Sequence, residues 1–362
     1  MIYNAIGVMS GSSLDGIDLV FTTLQEQGGT WQYELKQVDC QSYPDAWKER
    51  LSASTGLAAG EYVALDREYG TFIGSCVHRF IEEHGLHHQV SFVVVHGHTT
   101  FHDPAAMVSE QLGNGAVIAS ILELPVITGL RSLDVAFGGQ GAPLVPMGEK
   151  LLFSNYRGFL NLGGIANISI HDGEMVTAYD VCPANRVLNM IAESTGRPYD
   201  DGGAMAATGH VYPAALDRLN ELPYYRKGPP KSLANDFGTQ VVYPLLQSFH
   251  LSPADALRTC VEHIAVQLAH VFGSFDAAGS RQILTTGGGA FNSFLVSLLG
   301  EKLAGGGWEI VVPDEPTVKF KEALIMALLG ALRWREQYTV LPSVTGARRG
   351  SIGGGLWLGT EA

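Results

Sequence analysis

The apolar positions of this chain follow two rhythms. Ala5 to Val8 is an unbroken apolar run, Ser/Gly chemistry follows, and then Ile17, Leu19 and Phe21 alternate with Asp18 and Val20. That pattern predicts strand, tight turn, strand. Gly28-Gly29 turns the chain into a further strand over Trp31 to Val38. From Pro44 to Gly85 the spacing changes to threes and fours, with Leu65, Tyr69, Phe72, Ile73, Cys76, Val77 and Phe80 on one helical face. Val90 to Val95 reads as a buried strand ending in His96-Gly97-His98-Thr99. A short helix over Ala116 to Leu122 and a strand over Pro125 to Thr128 follow. Leu130 to Pro146 is rich in glycine and low in helix signal, and it predicts a crossover between domains.

The second half opens on the same rhythm. Gly158 to Ile170 reads as strand, Gly163-Gly164 turn, strand, and Met175 to Tyr179 as a strand delivering Asp180 into a loop. Pro183 suits the first turn of a helix running to Ser194. Pro253 to Phe275 is a long helix, Arg281 to Thr286 a strand ending at Gly287-Gly288-Gly289, and Lys321 to Tyr338 the last helix. Strands alternating with helices give an α/β class. Two halves that each begin with a hairpin indicate two similar domains, with ligands at the strand C-terminal ends. No fixed-period repeat exists, which excludes a solenoid.

At 362 residues the chain exceeds one ordinary core. Its 44 glycines cluster in short motifs rather than forming a linker. A formal net charge of −13 argues against nucleic-acid binding, which needs basic surface. Cys40, Cys76, Cys182 and Cys260 are scattered, without metal or disulfide spacing. No apolar run is long enough to span a bilayer, and the first strand begins without a basic leader, so a cytoplasmic protein without a membrane partner is expected. In the first turn, Gly11 and Gly16 admit a ligand close to the backbone, while Ser10, Ser12 and Ser13 offer hydroxyls. Successive amides there form an anion nest. Asp15 and Asp18 are hard oxygen ligands suited to Mg²⁺, so the turn suits a metal-chelated polyphosphate.

Six motifs in order carry a resemblance. Gly7 to Asp18, His96-Gly97-His98-Thr99, Gly138 to Pro146, Asn161 to Asn167, Thr286 to Asn292 and Val344-Thr345-Gly346-Ala347 together resemble the anhydro-N-acetylmuramic acid kinase family. That family lies in the superfamily of sugar kinases, actin and heat-shock ATPases. The resemblance implies two domains of related actin-like ATPase (ribonuclease H-like) core flanking an ATP cleft. The first would span residues 1–135, with the tail 345–362 packing on it, and the second 136–344. It also implies a cytoplasmic homodimer taking ATP, Mg²⁺ and a small-molecule sugar. The reaction would hydrolyse the anhydro bridge of 1,6-anhydro-N-acetylmuramic acid and phosphorylate the freed oxygen, in peptidoglycan recycling.

By the same resemblance, Gly11, Ser12, Ser13, Leu14, Asp15, Gly16, Ile17 and Asp18 match the ATP phosphate loop. Gly163 and Gly164 match a second phosphate loop, and Gly287, Gly288 and Gly289 an adenosine-side loop. Asp180 matches the general base, and His96, Thr99, Arg131 and Glu322 fall on the sugar side, Arg131 being suited to pair with the lactyl carboxylate. By itself Asp180 also reads as a helix-capping aspartate, and Glu322 as an acidic residue opening the last helix. The chain departs from the family pattern at Ser12, His98, Gly129-Leu130 and Cys182-Pro183-Ala184-Asn185; the last two lie near the sugar and the base. Two other readings stand beside the kinase: a metal-dependent hydrolase using His96 and His98, and a non-catalytic actin-like ATPase.

Overall fold

The computed structural model describes residues 1–11, 14–229, 231–234, 236–275 and 280–359. The chain forms two compact units, Met1–Phe153 with Phe320–Ala362, and Ser154–Lys319. In the first, β1 (Ile2–Ser10), β2 (Gly16–Gln27) and β3 (Thr30–Ser42) form the antiparallel meander that the alternation predicts. The helical stretch divides into α1 (Asp45–Ser52) and α2 (Ala59–Glu83), with a single 3₁₀ turn between them. On α2 the predicted face is buried, except that Phe72 is only half-buried. Then come β4 (Phe92–Val95), a hairpin of β5 (His98–Asp103) and β6 (Val108–Leu112) that periodicity did not show, α3 (Gly115–Leu122), β7 (Val126–Thr128), α4 (Ser132–Ala136) and α5 (Val145–Leu152). Asn114 caps α3, its Oδ1 accepting from Val117 N at 3.2 Å.

The second unit holds β8 (Gly158–Leu162), β9 (Ile165–Asp172), β10 (Met175–Pro183), α6 (Asn185–Glu193), α7 (Ala204–Thr208), α8 (Pro213–Asn220), α9 (Tyr243–Gln247), α10 (Pro253–Gly273), β11 (Gln282–Thr286), α11 (Ser293–Ala304) and β12 (Glu309–Val311). Its core gathers one face of α10, including Leu257, Val261, Ile264 and Leu268, against Leu160, Ile168 and Ile283 of the sheet. After it come α12 (Glu315–Trp334) and β13 (Gly355–Trp357). The two sheets repeat one topology. The first runs β3-β2-β1-β4-β7, with β13 added at its edge, and the second β10-β9-β8-β11-β12. In each, neighbours among the first three strands are antiparallel and the last two strands run parallel to the central one. The repeated α/β topology gives the two similar domains that the paired hairpins predict, with the ribonuclease H-like core that the resemblance implies.

Several expected boundaries move. Leu130 to Pro146 is no crossover: it contains α4 and lies inside the first unit, as do residues 136–153 and 320–344. Packing on α12 is the reason. Its middle, Ala323 to Leu329, is buried on every side. A Cβ on Gly7 of β1 would sit 1.9 Å from the Ala323 carbonyl oxygen, and one on Gly330 would sit 2.1 Å from Val94 Cγ2 of β4. On another side, Gly148 of α5 approaches Ile325 so closely that a Cβ would lie 2.5 Å from its Cγ1. The helix is therefore clamped closely against the first sheet, backbone to backbone at Gly7, and held there by α5. Because it starts at Glu315, Glu322 lies two turns inside it and does not open it.

The Gly7 contact tolerates no added carbon, since only main chain lies opposite. Gly7→Ala should destabilise the protein by about 3 kcal/mol. Gly60→Ala, in α2 with open space around it, should stabilise by about 0.5–1 kcal/mol. Denaturant midpoints of the two variants check the contrast.

Candidate active site

Between β1 and β2 the first turn is held from below. Ser10 Oγ is 2.7 Å from Tyr43 Oη, Tyr69 Oη donates to Ser10 Oγ at 3.0 Å, and the two tyrosine hydroxyls also share a short hydrogen bond. Tyr43 N donates to the Asp15 carbonyl at 3.2 Å. The Ser10 hydroxyl, expected to face a ligand, is thus committed to this buried triangle. Ser12 and Ser13 lie outside the described residues. Gly11 is half-buried, Leu14 has φ 58°, and Leu14 N donates to the Gly11 carbonyl. Ile17 is fully buried in the core and pairs with Ser10 in the ladder, and Gly16 sits under the Gln41 carbonyl. Asp15 is exposed and Asp18 half-buried. Burial pushes the Asp18 carboxyl up to about 6; the Cys40 thiol opposes this by donating to it, and the charges of Glu322 and Asp15 add to the rise.

At the ends of β4 and β7 the same unit assembles a charged group. His96 Nδ1–H donates to the Gly97 carbonyl at 2.8 Å, and its Nε2 accepts from Arg131 Nε at 3.0 Å. Both ring nitrogens are used, which fixes the neutral tautomer. Burial, with the adjacent Arg131 charge, pulls His96 down to about 3. A ring whose lone pair faces a guanidinium is no metal ligand, and this removes the hydrolase reading of the His96/His98 pair. His98 is buried at the start of β5, and Thr99 is half-buried beside it. Burial lowers Arg131 to about 10, opposed by the nearby Glu322. Burial raises Glu322, opposed by Lys321 and Arg131 and reinforced by Glu149. The buried ion pair Lys321–Glu149, 2.8 Å long, completes the group. Asp134, fully buried, accepts from Thr345 Oγ1 and Gly141 N at 2.8 Å each. It ties Gly138 to Pro143 to the Thr345 segment, although neither motif by itself pointed to this aspartate.

In the second unit the two glycine loops meet. Gly163-Gly164 is the two-residue turn between β8 and β9, and its carbonyls accept from Asn185 N at 3.1 Å and Ala184 N at 2.9 Å. Gly287 has φ 82°, and a Cβ there would lie 2.3 Å from Asn161 Oδ1, so the turn after β11 closes only with glycine. Asn185 Nδ2 donates to the Leu162 carbonyl at 2.9 Å, while its Oδ1 lies 2.9 Å from where a Gly289 Cβ would be. Asn185 therefore joins both loops. In the sequence Asn185 stands out only within the Cys182-Pro183-Ala184-Asn185 departure. A pocket of about 600 Å³ opens beside them, lined by Asn185, Tyr199, Gly288, Gly289, Phe291 and Lys319 among others.

Asp180 lies not in a loop but within β10, where the register to β9 shifts between Asp180 and Cys182. A bulge re-aims a side chain. Pro183 ends this strand, and α6 begins only at Asn185. Asp180 Oδ2 accepts from Leu233 N at 2.9 Å, and its carbonyl accepts from Tyr224 Oη at 2.6 Å. The carboxylate caps no helix. Burial raises its affinity for protons and the Leu233 amide partly offsets this.

The His96 arrangement has a pH signature. Its folded pKa, about 3, lies below the unfolded value of 6.5, so on acidification the unfolded chain takes up this proton first. Its contribution to stability is lost as pH falls from about 6.5 toward 3. Ring resonances of His96 in nuclear magnetic resonance should stay in the neutral form between pH 8 and 5, and a midpoint near 6.5 would refute the arrangement.

A family model described as anhydro-N-acetylmuramic acid kinase matches residues 3–358. The anhydro-N-acetylmuramic acid kinase of Vibrio parahaemolyticus is 32% identical over 95% of this chain and 95% of its own. That of Gloeobacter violaceus is 33% identical over 95% and 96%. That of Sulfurimonas denitrificans is 33% identical over 97% and 98%. With a match that runs almost from end to end and takes in every glycine turn and Asp180, the chain belongs to the anhydro-N-acetylmuramic acid kinase family.

Proposed function

We propose that the protein opens the anhydro bridge of 1,6-anhydro-N-acetylmuramic acid with water and transfers the γ-phosphoryl group of ATP to the freed O6. The products are N-acetylmuramic acid 6-phosphate and ADP. The observation that carries this is Asp180: a half-buried carboxylate at a strand bulge, its pKa raised by burial, with a single amide donor on one oxygen. A general base works best with its pKa near the working pH. As Asp180 takes a proton from water, the oxygen attacks the anomeric carbon and the bond to O6 breaks. O6 then carries the charge it needs to attack the γ-phosphorus, and ADP leaves. Ordinary glycoside hydrolysis requires a second carboxyl to protonate the leaving oxygen. Here the phosphoryl group captures that oxygen, so one base suffices.

The remaining roles are proposed from the motifs that match the family. The turn Gly11–Asp18 and Gly163-Gly164 present amides to phosphates, which phosphoryl transfer needs for positioning and charge stabilisation. The pocket beside Gly287-Gly288-Gly289 takes the adenosine. His96, Thr99, Arg131 and Glu322 contact the sugar. Among the described residues no three His, Cys, Asp or Glu side chains converge on a metal site. Two carboxylates, Asp15 and Asp18, fit Mg²⁺, which is held largely by phosphate oxygens and water. The elevated Asp18 pKa marks a carboxyl that a cation would restore to its charged form. Bound there, Mg²⁺ would neutralise phosphate charge. The proposed setting is a cytoplasmic homodimer in peptidoglycan recycling. No helix among the described residues is long and apolar enough to cross a membrane.

Asp180→Asn should lower kcat by about 10²–10⁴ while leaving ATP affinity in place. In ¹⁸O-water the unaltered enzyme should place label on the anomeric hydroxyl and none in phosphate; labelled inorganic phosphate would leave only an ATPase. The acid limb of kcat/KM also tests the base. Because the Asp180 pKa is raised and the base must be ionised, activity should fall with decreasing pH from a midpoint above 3.8, the ordinary aspartate value.

A further inference from the structure

Against the two tyrosines next to the Asp180 backbone stands a cation that none of these roles uses. Lys231 Nζ lies 4.6 Å from the ring centre of Tyr224 and 5.4 Å from that of Tyr179. Both rings belong to the base: Tyr179 precedes Asp180 in β10, and the Tyr224 hydroxyl holds its carbonyl. Two residues beyond Lys231, the Leu233 amide holds its carboxylate. A cation is attracted to aromatic faces, but rings do not neutralise it. Among the described residues no carboxylate lies within ion-pair distance of this ammonium, and burial lowers its proton affinity. It is a half-buried positive charge, positioned on two tyrosines, in want of an anion.

The proposed substrate supplies one. The lactyl carboxylate is carried on the sugar carbon two ring atoms from the anomeric carbon that water attacks. A cation that reads the carboxylate must therefore lie near the base that activates the water. Arg131 is less free for this task, because its Nε is committed to His96 and its charge is already opposed by Glu322. We propose that Lys231 is the specificity-determining residue that pairs with the lactyl carboxylate. The assignment rests on the reading of Asp180 as the base that opens the anhydro-muramic sugar.

The test compares two sugars that differ only in the lactyl group, 1,6-anhydro-N-acetylmuramic acid and 1,6-anhydro-N-acetylglucosamine. Dissociation constants are measured by calorimetry for the unaltered enzyme, Lys231→Met and Lys231→Arg, each also titrated with ADP and a non-hydrolysable ATP analogue. Lys231→Met keeps the length of the side chain and removes the charge. It should weaken the lactyl sugar by about 10–100-fold, the usual worth of a hydrogen bond to a charged group. It should leave the other sugar and both nucleotides within about threefold, and Lys231→Arg should retain most of the affinity. The unchanged ligands double as the check that the variant is folded. An equal loss on both sugars, an unaffected lactyl sugar, or a loss confined to the nucleotide triphosphate would overturn the assignment. An unaltered enzyme that binds neither sugar would overturn the parent reading and this assignment with it.

Discussion

The first unit depends on one contact, the laying of α12 directly on β1 and β4. Backbone meets backbone at Gly7 and side chain meets bare Cα at Gly330, so the helix can neither rise nor slide without opening the core. Its buried middle delivers Lys321 and Glu322 to the ends of the parallel strands, where open α/β sheets present their ligand-facing residues. The same clamp explains why β1 ends where it does. Once Gly7 is under the helix, Ser10 falls against Tyr43 and Tyr69, whose hydroxyls hold its own.

Burying charge is costly unless it is compensated, and the unit compensates in layers. Lys321 pairs with Glu149, Glu322 faces Arg131, and Arg131 donates to a histidine kept neutral by having both nitrogens occupied. Each member makes the next tolerable. The second unit solves a different problem. The role proposed for Asp180 needs a carboxylate desolvated enough to hold a proton yet accessible, and its setting is a bulge, one amide and a tyrosine on its own carbonyl. A strand that delivers a side chain from a register shift sets its direction more firmly than a loop would.

Duplication accounts for much of the rest. Both sheets build a central strand flanked by an antiparallel meander on one side and parallel strands on the other, and each puts a tight turn at the end of its central strand. What differs is how the turn is supported. In the first unit aromatic hydroxyls do it, and in the second the amides at the start of α6 do, with Asn185 bridging to the loop after β11.

Local pattern was enough for the hairpins, for the α2 and α10 faces and for the glycine turns, because each rests on neighbours two to four residues apart. Ordered motifs are enough to point to the family and, through it, to Asp180 and the glycine loops. Neither could reveal contacts between distant segments. That Asp180 sits in a strand and not a loop depends on its pairing with β9. That His96 is no metal ligand depends on Arg131, 35 residues away. The start of α12, the place of Glu322 within it and the division between units follow from a helix pressed on Gly7, more than 300 residues earlier in the chain. Asn185, Asp134 and Lys231 carry no local signal at all. Their importance arises from what folding sets beside them, a second glycine loop, a C-terminal threonine and two tyrosines, and only tertiary structure decides that.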